Sequence, residues 1–151
     1  MQTSTFMSRI VTIAALAGLA PFIMGFILTI QPGWVPMSRG AIETAIIGYG
    51  VLILSFLGGV RWGLRLQGGA GSDLTFIIGI LGAIAGFFIL LMPYTVGLVV
   101  LTFGFALQGA WDVWSGGVPA FYARLRGVMT WLVCFIIIAI LLARTITVSP
   151  V

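Results

Sequence analysis

The chain has 151 residues, 61% of them hydrophobic and 7% charged, with a formal net charge of +4. Soluble domains carry about 25% charged residues, so a chain this apolar has no surface that water would tolerate. It reads as a single transmembrane domain over residues 1–151, and its seven scattered Arg and absent Lys offer no basic patch for nucleic acid.

Five apolar stretches follow one another, each near the roughly 20 residues that a helix needs to cross the hydrocarbon core. They cover residues 10–30, 41–63, 74–92, 95–113 and 127–146. All five are expected to be helices, because an open sheet leaves its backbone unsatisfied in lipid. The expected fold class is an all-α integral membrane protein, a five-transmembrane-helix bundle. The first stretch is too long for a signal-peptide core and contains Pro21, so it is read as a retained span.

The connections are short. Residues 31–40 hold Pro32, Gly33, Trp34 and Pro36, a turn-rich loop with an interfacial Trp, and residues 67–73 are Gly-rich. Pro93-Tyr94 makes a tight hairpin, and Gly116, Gly117 and Pro119 interrupt the longest polar segment. Short links make neighbouring helices antiparallel. Arg9, Arg61, Arg65, Arg124 and Arg126 then fall on one side, and Arg39 and Arg144 on the other. Positive charge marks the cytoplasmic side, so the N-terminus is expected in the cytoplasm and the C-terminus in the periplasm. No internal repeat is evident, and an odd span count argues against a simple inverted-repeat transporter.

Small residues recur at helix-face spacing. Ser55, Gly59 and Gly63 form such a stripe in the second stretch, and Gly82 and Gly86 in the third. Ala17, Pro21 and Gly25 in the first, and Gly104 with Gln108 in the fourth, repeat the theme. Lipid supplies no hydrophobic drive between helices, so they associate by close contact, which small side chains permit. Ser55, Gly59, Gly63, Gly82 and Gly86 are accordingly the expected helix-packing residues.

Charge gives a second set. Asp112 ends the fourth stretch on the side where Arg61 and Arg65 end the second. An unpaired charge near hydrocarbon is costly, so Asp112 is expected to pair with Arg61 or Arg65, the alternative being separate snorkelling to headgroups. Arg61, Arg65 and Trp62 also suit an anionic lipid headgroup. At the other side, Arg39 and Glu43 are spaced for an i,i+4 pair. None of the three acids lies mid-span, which argues against ion coupling.

Catalytic signatures are lacking. With no His there is no His base and no His-ligated cofactor, and with Cys134 as the sole Cys there is no Cys pair. Cys134 sits inside the apolar run of residues 131–142 and reads as a small buried hydrophobe. No catalytic residue, cofactor or metal site is expected.

The run Tyr49-Gly50, then Ile53-Leu54-Ser55-Phe56-Leu57-Gly58-Gly59-Val60-Arg61-Trp62-Gly63, resembles the core motif of a small membrane family. That family is the domain of unknown function 3429, which includes the mitochondrial transmembrane protein 69. Asp112, Pro119, Phe121-Tyr122 and Leu125-Arg126 are similar to its second segment. The resemblance implies a multi-pass protein of the bacterial inner membrane with mitochondrial relatives, and implies no reaction. The expected function is a non-catalytic accessory or assembly subunit of a larger inner-membrane complex of respiratory or photosynthetic electron transport. The alternative is a binding or transport module for a small apolar ligand or lipid. Expected partners are other membrane subunits and lipids, anionic ones among them, with no soluble small-molecule substrate.

Overall fold

The computed structural model of the chain describes residues 5–68, 72–116 and 118–148. Among them all regular structure is helical. The Gly-rich stretch at 69–71 and Gly117 lie outside the described residues.

The first apolar stretch is two helices, α1 (Thr5–Ala17) and α2 (Ala20–Ile30). Pro21 lacks an N–H, and its ring would collide with the carbonyl four residues back, at Ala17, in a continuous helix. The break leaves the Gly18 carbonyl free of the ladder, and Tyr49 Oη donates to it at 2.8 Å. A 3₁₀ turn at Pro32–Trp34 leads to α3 (Arg39–Leu66), whose Ser38 cap accepts from Ala41 N at 3.2 Å. The shortest of the later helices is α4 (Leu74–Leu90), where Ser72 Oγ accepts from Leu74 N at 3.2 Å. Pro93 then starts α5 (Tyr94–Trp114). That helix ends at Ser115, followed by Gly116 at φ +68°, the left-handed conformation that favours glycine after a helix. The last helix is α6 (Ala120–Val148).

Four segments are long and apolar enough to cross a membrane: Ser8–Ile30, Arg39–Leu66, Tyr94–Trp114 and Ala120–Thr147. Helix α4 is apolar but shorter. The outward faces are greasy, with Phe56, Phe87, Phe103, Leu107, Trp131 and Phe135 all exposed. An exposed apolar belt of this extent belongs against lipid or another protein. The pattern is that of a multi-pass membrane protein.

Helix α3 is the hub, packing against α2, α4 and α5, while α6 closes the bundle against α5 and α2. Phe22, Leu54, Ile89, Leu98, Leu101, Phe105, Ile137 and Ile140 fill the centre, each at most 1% exposed. Phe22 meets Tyr49 and Phe105 edge to face, with centroids at 5.2 and 6.0 Å.

Helices α3 and α4 approach each other closely through glycines. A Cβ on Gly58 would run into the Gly79 carbonyl, and one on Gly86 would sit 2.6 Å from a Val51 methyl. The face of α3 turned to α4 is therefore Val51, Ser55, Gly58, Trp62 and Arg65. Ser55 Oγ donates to its own Val51 carbonyl at 2.9 Å and borders Gly86. Gly82 borders the Leu54 carbonyl and Gln108. Gly59 and Gly63 pack against no helix of this chain among the described residues: a Cβ on either would meet nothing within 4 Å. Successive residues of an α-helix point about 100° apart, so Gly58 and Gly59 look onto different surroundings, and four-residue spacing alone does not say which of two adjacent glycines is covered. Of the three small residues named in the first stretch, Gly25 is buried, against Ile46, whereas Ala17 and Pro21 are exposed.

Candidate functional site: a buried arginine–aspartate cluster beside an apolar cavity

Three charged side chains from three helices meet at the end of the bundle where α3 and α5 finish and α6 begins. Arg61 comes from α3, Asp112 from α5 and Arg126 from α6, and their exposures are 5%, 0% and 8%. Local packing brings them together. One turn inward from Asp112 and Arg126, Gly109 lies so close to Thr130 that a Cβ there would overlap its side chain. Beside it, Gln108 reaches across to α3. In the orientation that satisfies both amide atoms, it donates to Leu54 O at 3.2 Å and accepts from Gly58 N at 2.7 Å. Leu54 and Gly58 are i,i+4 ladder partners, so Gln108 clamps α5 onto one turn of α3.

Within the cluster, Arg126 Nε donates to Asp112 Oδ2 at 2.7 Å. Arg61 Nε lies 3.3 Å from Asp112 Oδ1, an ion contact without hydrogen-bond alignment. Arg61 spends its other donors on the end of α5. Nη1 donates to Gly116 O at 3.1 Å, and Nη2 donates to Ser115 Oγ. A cation at a helix C-terminus meets the unpaired carbonyls and the negative end of the macrodipole. Both terminal nitrogens of Arg61 thereby find acceptors, while its Nε, turned to Asp112, makes no hydrogen bond. Arg126 Nη2 has no hydrogen-bond partner among the described residues. Two guanidinium groups thus share one carboxylate, and the buried cluster carries a surplus positive charge.

Arg126 also lines a cavity of about 450 Å³ between α1, α2, α3, α5 and α6. Its walls are apolar, with Ile10, Val11, Phe22, Phe56, Phe105 and Met129 among them, and Tyr122 stands with Arg126 at the charged end. The break between α1 and α2 helps make this space. Helix α1 packs on α6 and makes little contact with α3, so the cavity is bordered by a loosely closed seam.

Of the residues singled out in the sequence, Arg61 and Asp112 are together, and Arg65 and Trp62 are elsewhere. Arg65 Nη2 pairs with Asp73 at the start of α4 at 2.8 Å, so it is not the partner of Asp112. Trp62 Nε1 donates to Phe76 O at 2.8 Å and its ring meets Phe76 edge to face at 5.3 Å, which makes it a clamp between α3 and α4. The sequence places Arg126 on the positive side of the bundle and in the second family-like segment, with no partner named. A signal for it exists: positions 112 and 126 lie equally far from Pro119, so an antiparallel hairpin folded there brings them level.

A second charged group closes the opposite end. Glu43 of α3 pairs with Arg144 of α6, in place of the i,i+4 partner Arg39, which donates instead to Thr147 Oγ1 at 3.4 Å. The Arg144 guanidinium also lies 4.7 Å over the Tyr94 ring. Cys134 is half-buried, its Sγ 3.7 Å from Thr102 O.

Fold and site together define an α-helical multi-pass membrane protein with a buried polar cluster at one end of its bundle. A family model described as Protein of unknown function (DUF3429) matches residues 7–142, nearly the whole chain. The chain belongs to that family. No curated protein and no solved structure matches it.

Proposed function

We propose that the chain is a non-catalytic module of the bacterial inner membrane that holds one small apolar or amphipathic molecule between its helices. The observation that carries this reading is the cavity of about 450 Å³ with apolar walls, a size and lining suited to small ligands. Its titratable lining residues are Tyr122 and Arg126, which make no nucleophile–base pair. In this reading α4 crosses as the third of five spans, its 17 residues covering about 26 Å of a core about 30 Å thick. Arg9, Arg61, Arg65, Arg124 and Arg126 then face the cytoplasm with the N-terminus, and Arg39 and Arg144 face the periplasm with the C-terminus. The pairing of Arg61 with Arg126 through Asp112, and of Glu43 with Arg144, supports that division.

Native mass spectrometry tests it. Wild-type protein released from phosphatidylcholine nanodiscs is expected to retain about one equivalent of added oleyl alcohol, and Val133→Trp, which fills the cavity, is expected to lose it. Equal retention by both proteins overturns the reading.

A second reading, an accessory subunit of a respiratory or photosynthetic complex, is favoured by one surface. Leu52, Phe56, Gly59, Gly63 and Leu66 follow each other at alternating three- and four-residue steps along α3. Leu52, Phe56 and Leu66 are 68%, 65% and 72% exposed, and the two glycines touch no neighbouring helix. That is the form of a seam for a helix of another chain. Co-migration with a large complex on mild-detergent native gels is its expected outcome, and migration only as a monomer or homodimer overturns it.

A further inference from the structure

The cavity and the charge surplus touch at one residue, and the two together specify a ligand class. We infer that the cavity takes an anionic amphiphile, whose carboxylate or phosphate accepts from Arg126 while its apolar chain runs inward along α6. The inference rests on the cavity being a binding site, as proposed above, and adds the chemistry of what it holds.

Three observations converge. Arg126 is more than nine-tenths buried and its Nη2 has no hydrogen-bond partner among the described residues. A buried donor without a partner, on a group that cannot lose its charge, is expensive unless something supplies an acceptor. Second, among the described residues Asp112 is the sole carboxylate paired to the two buried guanidiniums, so the missing acceptor is best an anion. The terminal nitrogens of Arg61 have Gly116 and Ser115 as acceptors, whereas on Arg126, which borders the cavity, Nη2 has none among the described residues. Third, the lining is graded. Tyr122, Leu125, Arg126, Met129 and Val133 all line the cavity from α6. Their spacing puts them on one helical face about 16 Å long. The donors, Tyr122 and Arg126, lie at its outer end, and everything beyond them is apolar.

Other arrangements fit less well. A wholly apolar ligand leaves the guanidinium unanswered. A small inorganic anion leaves an apolar space of this size empty of its complement. A cation meets the wrong sign. The seam between α1 and α3 also gives a chain from the bilayer a lateral way in, without crossing the charged end.

The same anion on an apolar chain exists as a free single-chain amphiphile and as a bilayer phospholipid, and the experiment separates them. Full-length protein in phosphatidylcholine nanodiscs is titrated with oleyl phosphate and with oleyl alcohol, and retained ligand is read by native mass spectrometry. Oleyl phosphate is expected to bind at least tenfold tighter than oleyl alcohol. Arg126→Gln levels the two, and Arg126→Lys keeps part of the preference. If Arg126→Gln fails to fold, the wild-type comparison of the two identical chains decides alone. In discs doped with phosphatidylglycerol, enrichment of that lipid on wild type names the bilayer as the source. Preference for oleyl phosphate without such enrichment names the free amphiphile. Equal binding of oleyl phosphate and oleyl alcohol overturns this inference and leaves the binding module standing, whereas retention of neither overturns both.

Discussion

The two ends of the bundle solve the same problem differently. At the periplasmic end of the proposed topology one carboxylate, Glu43, meets one guanidinium, Arg144, and both side chains keep about a quarter of their surface exposed, at 22% and 25%. At the opposite end one carboxylate serves two guanidiniums, with Asp112 fully buried and Arg61 and Arg126 nearly so. The first is a matched tie between α3 and α6 that water and headgroups help to satisfy. The second is a mismatched cluster in low dielectric, where an imbalance of charge is costly. A balanced pair at the rim fits a fastener. A surplus charge beside a cavity fits a place where something binds.

The sharpest way to break that contrast is Asp112→Asn. It leaves two buried arginines without a counter-charge and is expected to cost about 3–5 kcal/mol, read as a lower unfolding midpoint in a detergent denaturation series. An unchanged midpoint would show that the arginines reach solvent on their own. Next in size is Gly58→Ala, which drives a methyl into the Gly79 backbone and opens the α3–α4 contact beside the cluster. It should cost about 1–3 kcal/mol, whereas Gly59→Ala, one residue on, should leave thermal stability unchanged. A reversed order would mean that the outer face of α3 carries the packing.

Smaller effects sharpen the picture. Gln108→Leu removes the clamp of α5 on α3 while the Leu54–Gly58 ladder bond can still form, so about 1 kcal/mol is expected in the same unfolding assay. Glu43→Gln should cost no more than about 1 kcal/mol, because the pair is partly exposed. Raising ionic strength should shrink that cost and leave the Asp112→Asn defect nearly untouched. Equal salt sensitivity at both ends would erase the distinction between rim and interior.

Part of this was legible in the chain. Pro93 and Tyr94 mark the tight hairpin, and α5 starts there. The break in the first stretch hung on Pro21, whose meaning as a kink was available but masked by unbroken hydropathy. Arg126 was visible as an arginine at a span end and in the second family-like segment, without its partner. A charge pattern along one dimension records which end a residue occupies, and leaves open which side of the helix it faces and which neighbour fills that side. Arg65 and Arg61 illustrate this: they sit one turn apart, yet Arg65 meets Asp73 and Arg61 meets Asp112.

Composition alone determined the solvent of this protein. With 61% hydrophobic and 7% charged residues it can bury its surface only in lipid or against other membrane helices. Helical structure follows, because hydrocarbon offers the backbone no partner but itself. Only the tertiary structure decided which glycine faces which neighbour, because helix rotation is set by side-chain fit and hydropathy is blind to it in lipid. Only the tertiary structure brought Arg126 to Asp112 beside an apolar cavity, because that contact depends on how α5 and α6 turn at Gly109 and Thr130. The membrane is written in the sequence. The surplus charge beside the cavity, on which the proposed anionic ligand rests, arises where three helices converge.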